Sequence, residues 1–170
     1  MAHAVHYIEG VGPHYSRLLG AAGITTTERL LQAGATRRGR MELSRKTGIS
    51  SKLLLKWVNM SDLLRVRGVA GQYAELLEAA GVGTVHDLCR CNADSLAAVL
   101  SAANSQRQLV RTLPNNKRVN GWIEHARTLR AVVTPEPASQ QKTREPGHEK
   151  NGLAAGSRGS RTGWYKPGPG

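Results

Sequence analysis

Two short glycine-containing segments have a residue spacing that suggests anion binding. The first glycine turn (residues 8–12) reads Ile-Glu-Gly-Val-Gly, and the second glycine turn (residues 66–71) reads Val-Arg-Gly-Val-Ala-Gly. Glycines around an aliphatic residue allow a tight turn with outward-facing N–H groups, and a helix that starts behind it adds donors that favour an anion. The sequence therefore predicts a site for backbone phosphate. The predicted contacts in the turns are Gly10, Val11, Gly12, Gly68, Val69 and Gly71.

Basic residues would supply charge for the same ligand. Arg37, Arg38 and Arg40 lie close together, and Arg65 and Arg67 lie at the second glycine turn. The chain has 24 Lys and Arg against 12 Asp and Glu, a net charge of +12, which favours polyanionic partners such as nucleic acid. The alternative for such a cluster is a solvated helix face.

The sequence lacks the patterns of a catalytic site. It has no Ser-His-Asp order with an elbow glycine, no phosphate loop and no usefully spaced pair of carboxylates. His86, Cys89 and Cys91 are too closely spaced for a zinc site. The carboxylates nearest the turns are expected on helix surfaces: Glu9, Glu75 and Glu78. We therefore expect no enzyme activity, no metal, no cofactor and no small-molecule substrate.

An internal repeat places both turns in equivalent positions. Residues 8–31 match residues 66–89 at an offset of 58 positions, and Trp57 and Trp122 match at an offset of 65. The second copy therefore contains seven extra residues, which we expect in a loop.

Helical periodicity follows each turn. Apolar residues recur at i, i+3, i+4 and i+7 from Tyr15, and again from Tyr73. Each predicted helix ends at a glycine, Gly23 or Gly81, which suits the left-handed conformation at a helix C-terminus.

Threonines follow these glycines and predict the start of the next helix. Thr26 and its match Thr84 are suitable N-caps. Thr25 with Glu28 would form a capping box in a different register, and the sequence leaves both registers open.

Together these patterns predict an all-α fold. A third helix closes each copy and carries Trp57 or Trp122, which we expect in equivalent, mostly buried places. The core must be largely aliphatic because Phe is absent and aromatics are 4% of the chain. We expect two tandem helical units, residues 5–62 and 63–133, packed as a pseudo-symmetric domain. A basic tail rich in Pro, Gly and Ser, residues 134–170, is predicted to be disordered. Without a leader or a long apolar run, the protein is expected in the cytoplasm, with no membrane partner.

The pattern aliphatic-x-Gly-aliphatic-Gly at the turns resembles the helix-hairpin-helix motif. With Gly-Ile-Thr-Thr, Gly-Val-Gly-Thr and the Trp-Val and Trp-Ile pairs, residues 5–133 are similar to an uncharacterised bacterial family of paired helix-hairpin-helix units. This resemblance implies sequence-independent binding of DNA through the hairpin amides.

The sequence also departs from that motif. A basic residue commonly follows the hairpin in members that bind DNA, whereas this chain has His14 and Gln72. Ala70 replaces the second glycine, and Gly71 is expected to restore the turn in part. The first glycine turn, with His14 beside it, is therefore the better predicted phosphate site.

Two functional hypotheses follow from these features. In the first, the protein binds nucleic acid weakly and without sequence preference, with duplex DNA as the expected form, although DNA and RNA are not distinguished. In the second, the helical surfaces bind a protein partner and the turns are purely structural.

The composition of residues 134–170 generates a stability prediction. Removing them should leave the midpoint of thermal unfolding nearly unchanged, because a segment with so few apolar residues contributes little to a core. Circular dichroism melts of the full and shortened chains measure this. A drop of many degrees would show that the tail docks on the helical body.

Overall fold

Eight α-helices follow one another in residues 2–134, the part of the chain that our computed structural model describes, after a short 3-10 helix at Val5–Tyr7. No β-strand occurs within these residues, which confirms the predicted all-α fold. The helices are α1 (Pro13–Ala21), α2 (Thr27–Gly34), α3 (Arg37–Thr47), α4 (Ser51–Leu63), α5 (Gly71–Ala79), α6 (Val85–Leu88), α7 (Ala93–Arg107) and α8 (Asn116–Thr128).

The helix boundaries settle the register that the sequence left open. Thr26 caps α2 by accepting the Arg29 N–H at 3.2 Å, so the capping box at Thr25 was the wrong alternative. Thr84 caps α6, where Asp87 completes a capping box. The glycines after α1 and α5 have φ angles of 81° and 88°, as predicted for left-handed helix ends.

The two repeated tryptophans lie at the centre of the core. Trp57 on α4 is 1% exposed and Trp122 on α8 is 2% exposed, which confirms their predicted burial. Helix α4 packs against α2, α3 and α5, and α8 packs against α6 and α7. Each tryptophan therefore lies on a helix that several others surround.

Two helices that the repeat did not define, α3 and α7, precede the tryptophan helices. The connection from α3 to α4 is short, residues 48–50, whereas that from α7 to α8 spans residues 108–115. The longer connection therefore contains five more residues than the shorter one, which accounts for most of the seven extra residues predicted for a loop. Asn104 holds the longer connection by hydrogen bonds to the Val110 amide (2.9 Å) and carbonyl (3.0 Å).

Asp62 is a buried carboxylate that joins α4 to α6. It is 0% exposed, it pairs with Arg65, and it accepts the Val85 N–H at 2.8 Å. Burying a charge is costly unless it is paired and hydrogen-bonded, and Asp62 has both kinds of partner. This carboxylate therefore fixes the start of α6 against the end of α4.

The predicted boundaries are tested only in part. The residues of both predicted units fall within one compact body, so the division between residues 62 and 63 stays a prediction. Thr134, the first residue of the predicted tail, donates its N–H to the Ala35 carbonyl at 2.9 Å and so contacts that body. The prediction of disorder otherwise concerns residues 135–170, which lie outside the described residues.

The core predicts the cost of shortening two matched leucines. Leu19→Ala and Leu77→Ala should each lower the free energy of unfolding by about 2 to 5 kcal/mol, because both side chains are fully buried. Chemical denaturation measures the change, with Leu113→Ala as the control, since Leu113 is 40% exposed. A cost below about 0.5 kcal/mol at either leucine would contradict the core described above.

Candidate nucleic-acid interface

Both glycine turns close in the same way. In the first, the Val11 N–H donates to the Ile8 carbonyl at 3.0 Å and Gly10 has a φ of +87°. In the second, the Val69 N–H donates to the Val66 carbonyl at 3.1 Å and the glycine φ is +85°. Such four-residue turns require a positive φ at their third position, which glycine adopts without strain. The buried aliphatic residues hold each turn on the core while its glycine stays exposed.

A tryptophan ring lies beneath each turn. A β-carbon at Gly10 would lie 3.5 Å from Trp57 Nε1, and one at Gly68 would lie 3.2 Å from Trp122 Nε1. Each ring also packs against a tyrosine of the following helix, with ring centroids 5.0 and 5.3 Å apart. Neither indole N–H has a hydrogen-bond partner among the described residues. Each turn therefore packs against the edge of a buried indole ring.

The helices behind the turns differ from the others in how they start. Within residues 2–134, α2, α3, α4, α6, α7 and α8 each have a side chain that caps their first turn. Helices α1 and α5 have none. Their first N–H groups have no partner inside the helix and are available to an acceptor from outside. In α1 these donors are the amides of Gly12, His14 and Tyr15, because Pro13 has no N–H.

Several of the backbone N–H groups predicted to bind phosphate already donate hydrogen bonds within the protein. The N–H groups of Val11 and Val69 close their turns, so neither is available to phosphate and both predictions were wrong in this respect. The Arg67 N–H donates to His125 Nδ1 at 3.0 Å. The remaining donors therefore lie at the helix starts rather than in the middle of the turns.

Gly71 does not restore the second turn, contrary to prediction. It is the first residue of α5 and is buried, and a β-carbon there would lie 3.0 Å from the Tyr7 carbonyl oxygen. Ala70 is extended, with a φ of −92°, and Gly12 at the matching position has a φ of −76°, so neither backbone requires glycine. Gly71 allows close packing, and its burial excludes it as a phosphate contact.

This packing brings the two glycine turns together. The Gly71 position contacts Tyr7 and lies 3.9 Å from Glu9 Cγ, both of which belong to or adjoin the first turn. The sequence did not reveal this contact, because it joins the two halves of the repeat rather than recurring within each.

Helix α3 presents two of the predicted arginines and buries the third. Arg37 and Arg38 are exposed, and Arg38 forms an ion pair with Glu42 at 3.2 Å. Arg40 is 1% exposed and donates to the carbonyl oxygens of Gly34 (2.9 Å) and Ala35 (3.3 Å) at the end of α2. A guanidinium in this position satisfies terminal carbonyls and complements the helix dipole. The prediction that Arg40 binds nucleic acid was therefore wrong.

The arginines of the second turn are divided in the same way. Arg67 is exposed. Arg65 is partly buried, since it pairs with Asp62 and donates to the Arg130 carbonyl at 3.0 Å. Arg67 is thus the better placed of the two to contact a ligand.

A further group of basic residues near the second turn was not predicted from the sequence. Arg118 lies over the Tyr73 ring, 5.6 Å from its centroid, and donates to its hydroxyl at 3.1 Å. Arg111 and Lys117 are also exposed on this connection and helix start. These residues could have been found from the basic side chains in the region that is longer in the second copy.

Cys91 and two glutamates are other polar residues that the sequence singled out. Burial raises the pKa of the Cys91 thiol, and the nearby Asp87 and Cys89 add to the shift, so this thiol is a poorer nucleophile at neutral pH. Residues 2–134 hold no group of three His, Cys, Asp or Glu side chains placed to bind a metal ion. Glu78, expected on a helix surface, is buried, whereas Glu75 pairs with Lys56 at 3.4 Å.

The turn geometry predicts opposite outcomes for two alanine substitutions. Gly10→Ala should cost about 1 to 2 kcal/mol, because alanine is strained at positive φ. Gly12→Ala should change stability by less than about 0.5 kcal/mol, since its backbone is extended and no atom lies within 4 Å of the added carbon. Denaturant titration of both variants distinguishes the two. Equal effects would show that the turn does not depend on the left-handed residue.

Comparison with known proteins identifies the family of this chain. Residues 8–129 match the family described as a domain of unknown function (DUF4332). Searches of curated proteins and of solved structures gave no match. None of the helices in residues 2–134 is long and apolar enough to cross a membrane. The match covers both glycine turns and all eight α-helices described above, and the chain therefore belongs to the DUF4332 family.

Proposed function

We propose that this protein binds the phosphate backbone of nucleic acid without catalysis and without sequence preference. The observation that carries the proposal is the pair of uncapped helices, α1 and α5, each directly behind an exposed glycine turn. Amides at a helix start and the positive end of its dipole form an anion site. We also propose that the two halves are helix-hairpin-helix units packed as a pseudo-symmetric pair.

The ligand contacts that we propose are narrower than those expected from the sequence. They comprise the amides of Gly12 and His14 and the exposed side chains of Arg37, Arg38 and Arg67. Phosphate contacts fix position and add charge complementarity, but they do not read sequence. The net charge of +12 supports a polyanion as the partner.

The second glycine turn supports the alternative that the turns are structural and the protein binds another protein. Gly71 is buried against Tyr7, and the Arg67 amide is occupied by His125. These contacts make the second turn a junction within the fold. We therefore assign phosphate binding mainly to the first turn.

Salt dependence tests the proposal. About four phosphate contacts should give a slope near −4 for the logarithm of affinity against the logarithm of salt concentration, with affinity in the roughly micromolar range. Fluorescence anisotropy of labelled duplex DNA, with the full chain and with fixed and random sequences, measures this. Fixed and random sequences should bind alike.

Matched variants locate the contacts. Gly12→Glu places a carboxylate where the phosphate should lie and should weaken binding strongly, whereas Gly20→Glu adds the same charge on an exposed, open position of α1 and should weaken it less. Arg37→Ala with Arg38→Ala should reduce the magnitude of the salt slope by about two. The control with the same charge change is Arg90→Ala with Arg107→Ala.

Two results would contradict the proposal. If the parent shows no binding at low salt, the protein-partner alternative replaces it. If the paired variants and their controls lose affinity equally, the binding is a diffuse effect of net charge, and the first glycine turn is not the site.

A further inference from the structure

Tyr7 occupies an unusual place between the two glycine turns. It ends the 3-10 helix directly before the first turn, and its carbonyl and ring contact the position of Gly71 in the second. The residue is 41% exposed, although it is a large aromatic side chain. An exposed aromatic ring directly before the first glycine turn can contact a base while the amides at the start of α1 contact the neighbouring phosphates.

The Tyr7 ring is held in one orientation by His3. His3 stacks on Tyr7 with ring centroids 4.4 Å apart and an interplanar angle of 13°. The His3 backbone is fixed by α2, because Thr27 accepts its N–H at 3.2 Å and donates to its carbonyl at 2.8 Å. Since the imidazole covers one face of the tyrosine, a ligand would have to stack on the opposite face.

We propose that Tyr7 stacks on an unpaired base, so that the protein prefers nucleic acid with unpaired bases over a continuous duplex. This inference rests on the proposed phosphate binding, which would place the strand across the same surface. A base within a continuous duplex is already stacked on both sides and offers no face to Tyr7. A gap or a single strand exposes such a face, and every base can use it, so the preference is structural rather than sequence-specific.

The test compares three DNA probes with the full chain: a short duplex, the same duplex with a gap, and the single strand. Each carries 2-aminopurine at the same position, whose fluorescence falls when the base stacks on an aromatic ring. The parent should bind the gapped and single-stranded probes more tightly and should quench the fluorescent base. Tyr7→Ala should lose roughly tenfold in affinity for these two probes and should lose the quenching, with duplex affinity unchanged.

Two further variants separate stacking from a general loss of structure. Tyr7→Phe retains the ring and should keep both the preference and the quenching. Val99→Ala shortens a side chain of α7 that is 46% exposed and should behave like the parent. Thermal unfolding of each variant shows whether the fold persists.

The outcomes decide separately on the two proposals. If the parent binds all three probes equally, or if Tyr7→Ala keeps the preference, the stacking site is wrong while phosphate binding stands. If the parent binds none of the probes at low salt, phosphate binding fails and the stacking site fails with it.

Discussion

The contact on which the rest of the structure depends is that between each glycine turn and the indole beneath it. Trp57 Nε1 lies 3.5 Å from the place of a β-carbon at Gly10, so the turn backbone lies directly on the ring edge. The turn is thereby seated on α4 and at the same time leads into α1. The direction of the α1 N-terminus is consequently set by a buried ring on another helix. Trp122 and Gly68 repeat the arrangement with α8 and α5.

This arrangement leaves a polar group buried at each tryptophan. An N–H without a partner costs about 1 to 3 kcal/mol, and both indoles have one within the described part of the chain. The large buried area of the rings and their contacts with Tyr15 and Tyr73 oppose that cost. The fold thus retains a flat ring beneath the glycine in both halves. A stiff turn presents its following amides already in place, which reduces the ordering cost of binding an anion.

The sequence predicted what depends on neighbouring residues and missed what depends on packing between elements. The left-handed glycines, the buried tryptophans and the cap at Thr84 follow from local spacing, because turn and cap chemistry is decided within a few residues. At the start of α2 the spacing allowed two registers, and the structure shows the one capped by Thr26. Arg40 looked like a surface cation beside Arg37 and Arg38, yet it turns inward to the end of α2. No local pattern distinguishes a cation that points outward from one that caps a neighbouring helix.

The two turns share a backbone but not their surroundings, and this difference argues for a division of roles. At the second turn, the Arg67 amide is bound by His125 and Gly71 is buried, with Glu9 close to the start of α5. A carboxylate near a helix N-terminus opposes a second anion there, because both compete for the same positive end of the dipole. The first turn has an exposed Gly12 and open space around it. The first turn therefore keeps an exposed helix start behind it, whereas the second turn is joined to the first by the contacts of Gly71.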